Sequence, residues 1–203
     1  MSGRISILGM DFDPETVRSA AEKTVDGALK RIGAACPPRP FFVVTPNPLI
    51  LSNALKDGSL REIAAAADLC LPDGVGIVGA AKRQGTPLPC RVPGIEVGEA
   101  ALSFLARTGE RVFIVGGAPG RAAEAGVRLM DKYPGLIVCG TADGYSESDD
   151  ASLPEQIASA RPALVVVCLG SPKQEKWAYA NLEALRGAGA VICLGGAVDV
   201  WSG

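Results

Sequence analysis

Short apolar runs alternate along the chain with longer stretches of mixed polarity. Most of these runs are apolar at both odd and even positions, which is typical of strands that are covered on both faces. We predict strands at Ile5–Leu8, Phe41–Thr45, Leu69–Leu71, Arg111–Val115, Leu136–Cys139, Ala163–Leu169 and Ala190–Leu194. The pattern therefore predicts an α/β protein with a Rossmann-like, mostly parallel sheet and helices on both faces.

Helical stretches fill the segments between these runs. Asp13 precedes Pro14, so we predict a helix from Pro14 to Ile32 that Asp13 caps. A helix-like stretch also follows Gly76. Further helices are predicted at Pro48–Lys56, Leu60–Ala67, Gly94–Arg107, Pro119–Lys132, Leu153–Ala160 and Pro172–Leu185. Because no linker or repeat interrupts the pattern, we expect a single domain over residues 1–203.

The charge balance and the missing histidine narrow the possible functions. The 203 residues carry 20 basic and 22 acidic side chains, a net charge of −2, so no overall field attracts nucleic acid and none is expected as a partner. Histidine is absent, so a general base has to be Asp, Glu, Lys, Tyr or Cys. The chain shows no secretion signal and no apolar run long enough to span a membrane.

The six cysteines occur singly, with no C-x-x-C pair. With neither such a pair nor a histidine to complete it, the sequence lacks the spacing that is typical of a zinc site. Cys70, Cys139, Cys168 and Cys193 fall in or beside apolar runs, so we predict buried, reduced thiols, which favour a reducing cytosol.

Asp73 is the first candidate for a catalytic base. It follows the predicted strand Leu69–Leu71 and precedes glycine, a position where aspartate also serves as an ordinary turn former or helix cap. Thr45 and Asn47 end the preceding strand. If the two strands are neighbours, a hydroxyl, an amide and a carboxylate converge at one sheet edge. Such a group can orient a sugar hydroxyl and accept its proton.

Two glycine turns follow later strands. Gly116 and Gly117 join a strand to a helix, and Gly170 occupies a similar place, so backbone N–H groups there can approach a phosphate. A tight turn without a ligand is an equal alternative, because the full G-x-G-x-x-G spacing is missing. After the second turn, Gln174 is expected in the first turn of a helix, facing the same crevice. Glu175 is interpreted as an acid that complements the helix dipole.

Three further side chains are candidates for binding a nucleotide or its phosphates. Arg91 lies in a proline-rich loop, and its guanidinium can bind a pyrophosphate with two N–H groups. A solvated arginine with no ligand is an equal alternative. The ring of Tyr145 can stack on a base. Asp143 can cap its own turn or contact a ribose. Asp199 follows Gly195-Gly196 in a similar position.

Seven ordered motifs give the chain a resemblance to a known family. They are Thr45-Pro46-Asn47-Pro48, Pro72-Asp73-Gly74-Val75-Gly76, Arg91-Val92-Pro93-Gly94, Val115-Gly116-Gly117, Asp143-Gly144-Tyr145, Gly170-Ser171-Pro172-Lys173-Gln174-Glu175 and Gly195-Gly196-Ala197-Val198-Asp199. Together they resemble the WecG/TagA/CpsF bacterial glycosyltransferases, and no single motif suffices for this.

The resemblance implies an inverting sugar transfer. The donor is UDP carrying N-acetylmannosamine or its uronate, and the acceptor is polyprenyl-diphosphate-linked N-acetylglucosamine in cell-surface polysaccharide synthesis. It implies that Asp73 is the base, with four residues lining its pocket and two near the nucleotide. These are Thr45, Asn47, Arg91 and Gln174 for the pocket, and Tyr145 and Asp199 for the nucleotide. It also implies that no metal ion or other cofactor is needed, since the UDP-sugar is a co-substrate.

Other expectations concern the surroundings of the enzyme. Family members continue past the last glycine turn into a C-terminal membrane-binding appendage, which this sequence lacks, so we expect a shortened form. With the appendage, the protein is expected at the inner face of the plasma membrane, in contact with the membrane surface. Self-association into a homo-oligomer is also expected.

Two rival functions stay open at this point. The glycine turn at 116–120 and the α/β pattern also suit an NAD-type oxidoreductase, and a non-catalytic scaffold that binds a UDP-sugar has the same binding residues. Asp11-Phe12-Asp13 formally matches the D-x-D of metal-dependent glycosyltransferases, but a capping role explains Asp13 better.

Overall fold

The structure is a computed structural model that describes residues 3–203. Two strands, β1 (Ile5–Ile7) and β2 (Met10–Phe12), form an antiparallel hairpin. The other strands are β3 (Phe41–Val44), β4 (Leu69–Cys70), β5 (Arg111–Gly116), β6 (Ile137–Ala142), β7 (Leu164–Cys168) and β8 (Ala190–Cys193). They form one six-stranded parallel sheet in the spatial order β4-β3-β8-β7-β5-β6.

Helices connect these strands. They are α1 (Val17–Ile32), α2 (Pro48–Ala54), α3 (Gly58–Ala66), α4 (Val75–Arg83), α5 (Gly94–Thr108), α6 (Arg121–Lys132), α7 (Leu153–Ala160), α8 (Lys173–Asn181) and α9 (Ala197–Ser202). Within residues 3–203, no helix is long and apolar enough to cross a membrane.

The sheet has a hydrophobic core on each face. The core on one face contains Val43 of β3 together with residues of α1, α5, α6 and α9. The core on the other face contains Phe42 and Val44 together with residues of the hairpin and the remaining helices. All five residues of β7 are buried, as expected for a central strand. This two-sided burial explains why the strands are apolar at both parities. It confirms the predicted Rossmann-like α/β fold.

The first predicted strand does not join the parallel sheet. Leu8 and Gly9 both have positive φ, +52° and +79°, and turn the chain directly back into β2. Two such residues in a row are typical of the tight turns that close antiparallel hairpins. The expected strand Ile5–Leu8 therefore ends at Ile7 and belongs to a small separate sheet.

The first helix begins later than predicted, and Asp13 does not cap it. Thr16 is the N-cap, and its hydroxyl accepts a hydrogen bond from the Ser19 N–H. The Asp13 carboxylate instead accepts the Cys70 N–H at 2.8 Å and pairs with Arg4 at 3.1 Å. The capping interpretation was wrong because a tertiary partner, invisible in the local sequence, binds this carboxylate.

The edge strand β6 runs three residues beyond the predicted end at Cys139. Its residues Gly140–Ala142 pair with β5 on one side only and are mostly half-buried. An edge strand needs less apolar sequence than a central one, so the strand predicted from the apolar run was too short.

The strand order creates two crevices at the carboxyl edge of the sheet. From β5 the chain moves outward to β6, whereas from β7 it moves the other way to β8. Likewise, the chain leaves β3 toward β4, away from β8. Where neighbouring connections diverge in this way, a crevice opens above the sheet, and open α/β folds bind their ligands there.

Candidate active site

Two adjoining cavities occupy these crevices. We call the first, of about 510 Å³, the glycine cavity; it is lined by Gly117, Ala118, Gly144, Tyr145, Cys168, Leu169, Gly170, Lys173, Gly195, Gly196 and Asp199. We call the second, of about 410 Å³, the acid cavity; it is lined by Thr45, Asn47, Leu49, Ile50, Asn53, Asp73, Gly170, Ser171, Gln174, Leu194, Gly195 and Gly196. Because they share Gly170, Gly195 and Gly196, one ligand can extend across both.

Backbone hydrogen bonds between loops hold Asp73 at the acid cavity. Its own N–H donates to Pro46 O at 3.0 Å, which ties the loop after β4 to the loop after β3. Its Oδ2 accepts the N–H of Gly94, the first residue of α5, also at 3.0 Å. Among the described residues this is the single hydrogen bond to the carboxylate, so Oδ1 is available to a ligand. The arrangement suits a general base.

Thr45 and Asn47 lie beside Asp73, as the sequence predicted for neighbouring strands. The Thr45 hydroxyl donates to Cys193 O at 3.0 Å, so its lone pairs can accept a hydrogen bond from a ligand. Asn47 caps α2, with its Oδ1 accepting the Ile50 N–H at 3.0 Å. Among the described residues its Nδ2 makes no hydrogen bond, so this group can donate to a ligand in the acid cavity. Glycine at position 94 allows this packing, because a Cβ there would lie 2.6 Å from Thr45 Oγ1.

Gln174 joins the group from the other side of the acid cavity. It lies in the first turn of α8, is only 3% exposed, and accepts the Gly195 N–H on Oε1 at 2.8 Å. Its Nε2 donates to Glu175 Oε1 at 2.8 Å. The structure therefore brings together Thr45, Asn47, Asp73 and Gln174, drawn from three separate strand ends.

The glycines after β5 have different surroundings. Gly116 has φ +134°, and a Cβ there would lie 2.1 Å from Cys168 O, so this glycine permits close packing of β5 on β7 and does not line either cavity. Gly117 does line the glycine cavity, but its N–H donates to Cys168 O at 3.3 Å. The amide after Gly116, predicted to face a phosphate, is thus engaged within the protein.

Sequence reasoning missed Lys173. It is the one basic residue lining either cavity within the described part of the chain. Its Nζ lies 3.0 Å from Asp149, and it donates to Gly144 O at 3.1 Å and Ser148 Oγ at 3.2 Å, bridging α8 to the loop after β6. The signal was present, since Lys173 stands inside the motif that begins at Gly170 and opens a helix there.

Tyr145 and Asp199 both line the glycine cavity, and their contact with a nucleotide stays a prediction. The Tyr145 side chain is 63% exposed and free to stack on a planar ligand. Asp143 is buried, and its Oδ1 accepts the N–H groups of Tyr145 and Glu147 at 2.8 and 3.2 Å. Of the two alternatives for Asp143, the structure supports the turn cap.

Arg91 lies near the site but outside both cavities. The N–H of its neighbour Val92 donates to Pro72 O at 2.9 Å, so its backbone adjoins the Asp73 loop. The exposed Arg91 guanidinium lies 3.4 Å from Glu96. A part in phosphate binding stays a prediction for this residue.

The cysteines are free thiols. Cys70, Cys168 and Cys193 are buried as predicted, whereas Cys139 is only half-buried. Burial raises the pKa of the Cys168 thiol to about 12, and it raises the pKa values of Cys70 and Cys193 as well. Cys168 lines the glycine cavity, but at neutral pH it is a thiol and a poor nucleophile.

In the part of the chain that the structure describes, the acidic side chains do not gather into a metal site. Within residues 3–203, no group of three or more Asp, Glu or Cys side chains is arranged to hold a metal ion. In the D-x-D segment, Asp11 is exposed on β2, while Asp13 is bound to Arg4 and the Cys70 N–H.

Comparison with known proteins finds similar chains in two bacteria. A protein of Bacillus spizizenii strain W23, named N-acetylglucosaminyldiphosphoundecaprenol N-acetyl-beta-D-mannosaminyltransferase, is 35% identical over 162 residues, which are 80% of this chain and 62% of the relative. A protein of the same name from Staphylococcus aureus strain NCTC 8325 is 28% identical over 202 residues, 100% of this chain and 77% of the relative. The chain thus spans less than two thirds of the length of the Bacillus relative.

A family profile extends the match to nearly all of the chain. The profile of the glycosyl transferase WecG/TagA/CpsF family covers residues 5–203, which include both cavities and every strand of the sheet. The chain therefore belongs to the WecG/TagA/CpsF family of glycosyl transferases.

Proposed function

We propose that this protein transfers N-acetylmannosamine, or its uronate, from UDP to polyprenyl-diphosphate-linked N-acetylglucosamine with inversion at the sugar. Family membership supports glycosyl transfer. The relatives' name supports the mannosaminyl donor and the lipid-linked acceptor. The observation that carries the proposal is the position of Asp73. It lines the acid cavity, which shares three lining glycines with the glycine cavity beside it.

The glycine cavity suits the nucleotide diphosphate. Tyr145 offers a ring for the uracil, and Asp199 offers a carboxylate that can accept hydrogen bonds from ribose hydroxyls. Lys173 supplies the positive charge for the diphosphate. A volume of about 510 Å³ is within the usual range for ligand sites. The sugar then extends past the shared glycines into the acid cavity.

The acid cavity suits the transfer step. The acceptor hydroxyl donates its proton to Asp73 while its oxygen bonds to the anomeric carbon of the donor sugar, and the bond from that carbon to the UDP oxygen breaks in the same displacement. Attack opposite the leaving group inverts the anomeric centre. The negative charge that develops on the diphosphate is met by Lys173. Thr45, Asn47 and Gln174 hold the reacting groups in line.

The proposal is tested with a panel of UDP-sugars and a short polyprenyl-diphosphate-N-acetylglucosamine analogue. We expect one added N-acetylhexosamine in the mass of the product, with UDP-N-acetylmannosamine as the best donor, and we expect EDTA to leave the rate unchanged. Binding of UDP without turnover of any donor would favour the scaffold alternative. A thermal shift with NAD but not with UDP would favour the oxidoreductase.

The same proposal has consequences for location and assembly. A polyprenyl-linked acceptor resides in a membrane, so the protein is proposed to meet it at the membrane surface. Co-sedimentation with liposomes that contain the acceptor tests this. Homo-oligomerisation stays a prediction that sedimentation velocity can check.

Lys173→Met is expected to weaken UDP binding about tenfold, because a charge-assisted hydrogen bond to a phosphate contributes about 1.5–3 kcal/mol and part of it is screened at an exposed site. The measurement is calorimetric titration with UDP. Lys176→Met is the matched control: Lys176 lies on the same helix but pairs with Asp57 at 2.7 Å, away from both cavities. Equal UDP affinity in the two variants would remove Lys173 from this role.

A further inference from the structure

Glu175 is a buried carboxyl that the proposed reaction does not use. Its side chain belongs to α8, is only 4% exposed and does not line either cavity. Its Oε1 accepts the Gln174 Nε2 hydrogen bond at 2.8 Å. Among the described residues, its Oε2 is the one buried side-chain oxygen or nitrogen without a hydrogen-bond partner. The sequence-based interpretation, an acid complementing the helix dipole, does not explain a buried group.

Such a group works against folding. A buried carboxyl loses its hydration, and an oxygen without a partner recovers none of that loss. Burial is the largest influence on Glu175 and raises its pKa above the ordinary value of glutamate, against the lowering effect of the hydrogen bond from Gln174. Folding alone therefore favours an apolar side chain of similar size at this position.

Glu175 nevertheless holds one end of the Gln174 side-chain amide. The Gly195 N–H can only donate, so Gln174 has to turn its oxygen toward Gly195, and Glu175 Oε1 receives the amide nitrogen. With both ends held, the amide plane of Gln174 is fixed. One Nε2 hydrogen and one Oε1 lone pair are left for the acid cavity, which Gln174 lines.

We propose that Glu175 is a positioning residue for sugar transfer, whose carboxyl holds the Gln174 amide in the one orientation that presents its second N–H to the sugar. This inference rests on the proposed function. Without Glu175, the terminal torsion of Gln174 has a broad energy minimum, and the amide can rotate away from its productive angle. A small loss of alignment at a reacting sugar costs rate, because orientation contributes to transfer.

Two variants separate positioning from packing. Glu175→Met removes the acceptor oxygens but retains side-chain length, and we expect kcat/KM to fall at least about tenfold. UDP affinity is expected to stay within about twofold, because Glu175 does not line the glycine cavity, and the melting temperature is expected at or above that of the wild type. Glu175→Gln retains one acceptor oxygen and should restore kcat/KM to within about threefold of the wild type.

A double-mutant cycle with Gln174→Ala tests whether Glu175 acts through its neighbour. Once Gln174 is truncated, adding Glu175→Met should slow transfer no further. Independent, multiplying losses would overturn the proposal, as would full activity in Glu175→Met or a failure of that variant to fold. An inactive wild type would instead count against the proposed function, so the two failures are distinguishable.

Discussion

Asp73→Asn is expected to lower the transfer rate by about 10²–10⁴-fold, the usual contribution of a general base. The variant can keep the local structure, because the asparagine Oδ1 can still accept the Gly94 N–H that Asp73 Oδ2 accepts at 3.0 Å. What it loses is the capacity to accept the proton of the attacking hydroxyl. UDP affinity should be unchanged, because Asp73 does not line the glycine cavity.

The measurement pairs a transfer assay under donor saturation with UDP titration. Asp131→Asn is the matched control: it makes the same chemical change on the exposed side of α6, remote from both cavities, and should transfer at the wild-type rate. If Asp73→Asn retained more than about a tenth of the rate, another group would have to be the base.

Gly116→Ala is expected to lower the free energy of unfolding by about 3 kcal/mol, combining overpacking with backbone strain. The added Cβ would lie 2.1 Å from Cys168 O, a backbone atom of the central strand that cannot move without disturbing β7. For a chain of this length, about 3 kcal/mol corresponds to a fall of about 6–12 °C in melting temperature.

Gly109→Ala isolates the effect of close packing in this prediction. Gly109 also has positive φ, +66°, but a Cβ there meets nothing within 4 Å. Gly109→Ala should therefore lower the free energy of unfolding only through backbone strain, by about 1 kcal/mol. Similar melting temperatures for the two variants would show that the sheet adapts to the extra methyl group, contrary to this account.

The sequence predicted the fold because its strongest signals are local. Strands such as β7, buried on both faces, need apolar residues throughout, and this requirement is legible without any knowledge of partners. The convergence of Thr45 and Asp73 also followed from local reasoning, since residues just past neighbouring parallel strands share one edge.

The features that sequence reasoning missed depend on distant partners. Asp13 has the local sequence pattern of a helix cap, but its carboxylate accepts a hydrogen bond from the Cys70 N–H, far along the chain. Glu175 carries the signature of a surface acid, and only the packing of α8 shows that it is buried. Lys173 is held at the glycine cavity by hydrogen bonds to the loop after β6. The sequence has no periodic pattern in this loop from which its path could be predicted.

Three glycines, Gly170, Gly195 and Gly196, line both cavities, so the space that the cavities share is bounded there by main chain. Main chain has no rotamers, so no side-chain movement at these three positions changes the space that the cavities share. The space that a ligand meets at these glycines is therefore set by the course of the main chain. At Gly170 and Gly195 a Cβ would meet no atom within 4 Å. Both residues have positive φ, +73° and +59°, so a larger side chain there would add bulk to the shared space at the cost of backbone strain.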